Sequence, residues 1–259
     1  MEEYDLAYYE RRNDATERRT GLDRLDECAI ETLNEFVHST ACTAEDVVHL
    51  IATIDGTKNG VWFCDNDAFS SPTSINCPVS KWVRERMTYT IFEQLPLAKS
   101  CVVKDTQQGG KDTPVFFWVL AAQSPQLLND APDVQRTDEE MRKLEKKAHP
   151  EYGTFLGIPE ADVQWWKNND LPNKGEEFHY ASITGRTMTE QEKQYLRLLS
   201  YLPAPTSDGI QRGVEEGRKY YESCELFDSI VSGNPATTHA RKVMSRPMPR
   251  IDYSNKKKV

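Results

Sequence analysis

The sequence predicts a mainly helical α+β fold with a small antiparallel sheet of about three strands. Apolar residues recur at three- and four-residue spacing in several segments, which is typical of amphipathic helices. Short β-branched and aromatic runs, two of them separated by the loop that contains Gly109 and Gly110, are typical of strands and of a hairpin.

The first two helices are placed by their apolar spacing and caps. Residues 22–38 predict one continuous helix with Cys28 on its apolar face. Thr43 predicts the N-cap of a second helix, because carboxylates follow it in the first turn, and Gly56 predicts its end. Together these segments predict a helical hairpin.

The remaining elements follow from the same rules. A capping box at Thr189 and Glu192 predicts the start of one of the later helices. Further helices are predicted at 78–95, 137–149, 160–168, 187–202 and about 208–231, and strands at 60–65, 100–105 and 113–122.

The length and the segment order predict one α+β domain over residues 1–235, with a possible internal boundary near 124–135. Beyond Gly233 no apolar periodicity is visible, and prolines and polar residues predominate. We therefore expect 236–259 to be a flexible basic tail.

Charge is distributed unevenly along the chain. Residues 241–259 hold seven basic residues against one acidic residue, a net charge of +6. Subtracting this from the overall −9 leaves −15 on residues 1–240. An acidic body repels nucleic acid and anionic membranes. Any nucleic-acid contact is therefore expected from these tail residues: Arg241, Lys242, Arg246, Arg250, Lys256, Lys257 and Lys258.

The six cysteines form no CxxC pair, and the N-terminal residues show no apolar signal segment, so we expect reduced thiols and a cytoplasmic location. No apolar run approaches the roughly 20 residues of a membrane span. We expect no membrane association.

The cysteines and histidines are the residues best suited to metal binding or catalysis. Four residues of the types that bind zinc lie close together in the sequence: Cys28, His38, Cys42 and His49. Their spacing is irregular and lacks the close ligand pairs typical of structural zinc sites. We therefore expect neither a metal nor a cofactor. The Gly-rich segment 109–113 lacks the P-loop pattern. The weak catalytic candidates are His149, His179, Cys64 and Asp65.

Two segments suggest binding rather than catalysis. Residues 178–186 place His179 and Arg186 in a polar loop that suits a small anion, although an exposed loop explains them equally. Trp165 and Trp166, with Phe155, form the densest aromatic group outside the strands. Because adjacent helical residues point about 100° apart, one tryptophan is expected outside the core, where a protein partner could contact it.

The segments GTFLGIPEADVQWW (153–166) and SYLPAPTSDGIQRGVEEGRKYYE (200–222) resemble segments of uncharacterised proteins of halophilic archaea and their viruses or plasmids. The resemblance implies an acidic cytosolic protein and carries no catalytic residues. The chain departs from the haloarchaeal pattern in its six cysteines and its equal use of lysine and arginine.

These observations favour a non-enzymatic interaction or regulatory protein that acts through a protein partner. Two alternatives stay open. One is a small hydrolase or transferase that uses the polar loop with His179 and Arg186. The other is weak nucleic-acid binding through the basic C-terminal residues.

Overall fold

The computed structural model describes residues 21–38, 42–64, 94–105, 115–124, 127, 153, 155–168 and 188–246. Its helices are α1 (Glu27–His38), α2 (Ala44–Asp55), α3 (Glu160–Asn168), α4 (Glu190–Leu196), α5 (Ser207–Ile230) and α6 (Pro235–Met244). Its strands are β1 (Gly60–Cys64), β2 (Ala98–Asp105) and β3 (Val115–Ala122). The predicted mainly helical α+β fold with a small antiparallel sheet is confirmed. The helices predicted at 78–95 and 137–149, and the boundary near 124–135, lie almost entirely outside the described residues.

The first predicted helix is divided in two. A 3₁₀ turn covers Gly21–Arg24, and α1 begins only at Glu27. The break follows from Asp26, whose carboxylate accepts a hydrogen bond from the Ala29 backbone N–H at 2.8 Å and so starts a new helix. Cys28 is exposed, which corrects its expected place on the apolar face. The buried side of α1 consists of Ala29, Leu33, Phe36 and Val37.

Helix α2 lies at the centre of the described fold, and both of its predicted ends are confirmed. The Thr43 hydroxyl accepts from the Asp46 N–H at 3.2 Å, and the Asp46 carboxylate accepts from the Thr43 N–H at 3.0 Å. Gly56 ends the helix with φ 87°, a left-handed conformation that favours glycine. Between these ends most of the helix is buried, against α5, α6 and β1.

In the sheet, β3 is the central strand. It pairs antiparallel with β1 on one side and with β2 on the other, so the predicted pairing of the last two strands is confirmed. The register places Gly60 and Ala98 opposite Ala122. Val61 and Ala121 are buried at the end of the sheet that meets the helices.

One contiguous apolar core joins α1, α2, α5 and α6. Its fully buried members include Leu33, Phe36, Val47, Ile51, Phe227 and Ala240. Every one of these side chains comes from a helix, so the helical layer holds most of the described apolar core. Within the described residues, no helix is long and apolar enough to cross a membrane.

Helix α5 approaches its neighbours unusually closely along one face. Gly209, Gly213 and Gly217 recur every four residues and therefore lie on the same side of the helix. Gly209 faces the backbone of Ala204, and Gly217 faces the backbone of Tyr195. We call these three residues the glycine stripe. At its centre, a Cβ on Gly213 would lie 2.5 Å from Pro203 Cγ, so the chain between α4 and α5 packs directly on helical backbone.

The C-terminal residues correct the expected tail. Residues 235–244 form α6, and Ala236, Ala240 and Val243 are buried in the core. The Asp228 carboxylate holds the start of this helix by accepting from the N–H groups of Ala236 at 2.8 Å and Thr237 at 2.9 Å. The expectation of a flexible tail from residue 236 is therefore wrong as far as residue 246, and 247–259 lie outside the described residues.

We expect Gly217→Ala to destabilise the fold by about 1–3 kcal/mol, because the new methyl group overlaps the Tyr195 carbonyl. The intrinsic helix preference of alanine, about 1 kcal/mol over glycine, acts in the opposite direction and is the smaller effect. Urea unfolding followed by circular dichroism measures the difference. Gln211→Ala, at an exposed position of the same helix, is the matched control. Equal or greater stability of Gly217→Ala would show that α4 and α5 do not approach this closely.

Candidate functional site

The most unusual polar residue of the described fold is Lys58, which is only 2 % exposed. It follows the left-handed Gly56 at the end of α2, and the N–H groups of Thr57 and Lys58 both donate to the Ala52 carbonyl. This turn directs the lysine side chain towards α5 instead of solvent. Four further polar residues, Glu216, Tyr220, Tyr201 and His49, complete the polar centre around it.

The ammonium group of Lys58 makes two hydrogen bonds and one aromatic contact. Nζ donates to the Leu156 carbonyl at 2.8 Å and to the Ser200 hydroxyl at 2.8 Å. It also lies 5.8 Å from the centroid of the Tyr220 ring, within cation–π range. Burial lowers the pKa of Lys58 to about 8, and the charge of Glu216 partly opposes this shift.

Glu216 lies on α5 and accepts hydrogen bonds from two tyrosines. Tyr201 donates its hydroxyl to one carboxylate oxygen at 2.7 Å, and Tyr220 donates to the other. Burial raises the pKa of Glu216, while these hydrogen bonds and the charge of Lys58 lower it. Burial also raises the pKa of Tyr220 well above its usual value. Both tyrosines therefore act as fixed donors to the carboxylate.

His49 belongs to α2 and meets the other side of Tyr220. Its Nε2 lies 2.9 Å from the Leu198 carbonyl, which requires the proton on Nε2. The ring packs edge to face on Tyr220 with 6.1 Å between centroids. Burial, and then the charge of Lys58, lower the pKa of His49 to about 3. It is therefore neutral at pH 7 and ties α2 to the residues after α4.

An ion pair between a partly exposed arginine and a buried carboxylate joins α3 to α5. Asp162 is fully buried and accepts from Arg212 Nη2 at 2.7 Å and from the Ala204 N–H at 3.2 Å. This pair places α3 beside the glycine stripe. Cys224 of α5 is also buried, and burial raises the pKa of its thiol, which makes it a poor nucleophile.

The chemistry of the polar centre is that of a structural clamp. Its side chains make hydrogen bonds to other groups of the protein. These bonds connect α2 and the turn after it to α5, to the residues before α3 and to the residues after α4. Among the described residues, no group of three or more histidine, cysteine, aspartate or glutamate side chains could hold a metal ion.

The sequence-predicted catalytic and anion-binding residues are not brought together in the described part of the chain. His149, His179, Asp65 and Arg186 lie outside it, and of Cys64 only the backbone in β1 is described. Of the four possible zinc ligands, Cys28 and His38 are exposed, and His38 Nδ1 bonds the Asn34 carbonyl. His49 is used by the polar centre.

Of the three aromatic residues expected to contact a partner, one is placed differently by the structure. Phe155 is fully buried, because its ring packs on the bare backbone of Gly60, where a Cβ would lie 2.8 Å from the ring. It therefore cannot present its ring to a partner. Trp165 is half-buried on α3, and the side chain of Trp166 lies outside the described residues.

The described basic residues of the expected tail have different surroundings. Arg241 and Lys242 are exposed in the last turn of α6, whereas Arg246 forms an ion pair with Glu45 of α2. Arg250, Lys256, Lys257 and Lys258 lie outside the described residues.

Sequence reasoning missed a surface where α4, α5 and α6 meet. Tyr195 and Tyr221 are half-buried, with ring centroids 6.3 Å apart and planes inclined at 59°. Arg241 Nη2 lies 3.5 Å from the Tyr221 hydroxyl, and Arg218 is exposed one helical turn before Tyr221. We call these four residues the tyrosine patch. No sequence signal locates it, because its residues come from three separate helices.

Comparisons with known proteins return no protein family, curated protein or solved structure that matches this chain. The resemblance to proteins of halophilic archaea and the cytoplasmic location stay predictions from the sequence.

We expect Lys58→Met to destabilise the protein by about 3 kcal/mol at pH 7, because it leaves the Leu156 carbonyl and the Glu216 carboxylate without their buried cation. Methionine keeps most of the apolar stem, so the change reports on the ammonium group. Lys219→Met, on the surface of α5, is the control and should change the free energy of unfolding by less than about 1 kcal/mol. Equal effects of the two substitutions would contradict the clamp.

Because the pKa of His49 is lowered in the folded protein, we expect the protein to lose stability in acid. Its pKa of about 3 in the folded protein lies below its ordinary value of 6.5, so the unfolded chain binds more protons between these two pH values. The free energy of unfolding should therefore fall as pH drops from 6.5 towards 3, by at most about 1.4 kcal/mol per pH unit from this group. Urea titrations of wild type and His49→Gln across this range isolate the contribution. Parallel pH profiles of the two proteins would show that His49 titrates normally.

Proposed function

We propose that this protein is a non-enzymatic interaction protein that binds a protein partner through the tyrosine patch of α4, α5 and α6. The observation that carries the proposal is the pairing of two adjacent, half-exposed tyrosine rings with two exposed arginines. Tyrosine and arginine are enriched among the residues that dominate binding energy in protein interfaces.

The patch is also rigid, which favours binding. Tyr195 and Tyr221 rest against the apolar core on one side, and Gln191 donates to the Tyr195 hydroxyl at 3.2 Å. The glycine stripe fixes the backbone of Tyr195 directly on α5. Because these side chains are already ordered, they lose less conformational entropy when a partner packs on them.

The polar centre supports a non-enzymatic role. Burial lowers the pKa values of His49 and Lys58 and raises that of Glu216, and such shifts occur both in catalytic sites and in structural ion networks. Here Lys58 and His49 donate to backbone carbonyls, and Glu216 accepts from two tyrosines. Such internal bonding favours the structural explanation.

Affinity capture from an extract of the source organism tests the proposal. We expect a protein that co-purifies with the wild type and is lost, by about tenfold or more, when Tyr195 and Tyr221 are both changed to alanine. Quantitative mass spectrometry provides the measurement. Glu225→Ala, at an exposed position of α5, is the control and should retain the partner. A Trp165→Ala variant tests the surface that the sequence indicated.

Two outcomes would contradict the proposal. One is a set of captured proteins that is the same for the wild type and the double tyrosine variant, with thermal unfolding showing both folded. The other is stoichiometric co-purification of a small molecule or nucleic acid in place of a protein.

A further inference from the structure

The partner's chemistry can be inferred from the charges beside the tyrosine patch. Two of the exposed basic residues of the described surface are neutralised by carboxylates beside them. Arg218 contacts Glu215 at 2.7 Å and Glu222 at 2.6 Å, and Arg246 pairs with Glu45. Among the described residues, the exposed Arg241 and Lys242 have no carboxylate within salt-bridge distance.

These two cations are adjacent in the last turn of α6, and Arg241 extends to the Tyr221 hydroxyl. The tyrosine patch therefore has an apolar, aromatic centre and a positively charged border at Arg241, and the exposed Lys242 is the next residue of the helix. The border on α5 is different, because Glu215 and Glu222 surround Arg218 there.

We propose that the tyrosine patch binds an acidic peptide segment of its partner, in which an aromatic or aliphatic side chain packs on Tyr195 and Tyr221 while neighbouring carboxylates pair with Arg241 and Lys242. This inference rests on the proposed function and adds the chemical class of the partner. Complementary charge at an interface chiefly sets specificity and association rate, and the aromatic contact supplies most of the affinity.

A peptide fits this surface better than a nucleic acid does. A short peptide can place one or two carboxylates at the α6 border and keep its uncharged part near Glu215 and Glu222. A nucleic acid carries a phosphate at every nucleotide, so it would bring negative charge to the same two glutamates. The overall net charge of −9 also repels a nucleic acid, with its many phosphates, more strongly than a peptide with one or two carboxylates.

Selection from a random peptide library displayed on phage tests the inference with the full chain. We expect wild-type protein to enrich peptides with aspartate or glutamate next to an aromatic or aliphatic residue. The same peptides, labelled with fluorescein, should bind about two- to fivefold more weakly for each charge removed in Arg241→Gln and Lys242→Gln. The control variant Glu225→Gln keeps both cations, and it should bind the peptides at least as well as the wild type does.

The other outcomes separate this inference from the proposed function. Enriched peptides that lack acidic residues, yet lose binding when Tyr195 and Tyr221 are both changed to alanine, would overturn the inference and leave the proposed function standing. Failure to enrich any peptide whose binding depends on the patch would also overturn it. Binding of oligothymidylate that weakens with Arg241→Gln and exceeds peptide binding at the same salt concentration would assign the surface to nucleic acid. Thermal unfolding of each variant confirms that the compared proteins are folded.

Discussion

The direct contact between the glycine stripe of α5 and the chain from Tyr195 to Ala204 determines how the other described elements meet. The three glycines have no side chains, so the segment from Tyr195 to Ala204 lies directly against the backbone of α5. The contact brings the Tyr201 hydroxyl to Glu216 and the Leu198 carbonyl to His49. The same close approach sets Tyr195 beside Tyr221. One packing constraint thus organises both the buried polar centre and the exposed tyrosine patch.

The polar centre gives this packing its specificity. An apolar cluster of the same volume could stabilise the fold as well or better, because burying charges carries a large desolvation penalty. Lys58, however, is satisfied only in an arrangement that brings both the Leu156 carbonyl and the Ser200 hydroxyl within hydrogen-bond distance of its ammonium group. A shift of the residues after α4, or of those before α3, leaves the buried cation without one of its two hydrogen-bond acceptors. We infer that the centre selects one arrangement of these segments over other compact ones.

Local features of the fold could be predicted from the sequence, and features that depend on distant residues could not. The caps at Thr43, Gly56 and Thr189 were predictable, because their hydrogen bonds are made within a few residues. Burial of Lys58 was not, since its acceptors lie 98 and 142 positions further along the chain. The glycine stripe is visible as a four-residue repeat, yet the surface that it contacts belongs to another segment. The tyrosine patch, drawn from three helices, had no local signal.

Helix α6 has a consequence for the order in which the fold is completed during synthesis. Its first N–H groups are held by Asp228 at the end of α5, and Asn234, at the N-cap position, makes no side-chain cap. Helix α6 is thus unsuited to form alone, and it follows the other described elements along the chain. Until it emerges from the ribosome, the apolar surface of α2 that Ala240 and Val243 cover stays open. A nascent chain that ends before residue 235 therefore exposes its central helix and is a natural substrate for chaperones.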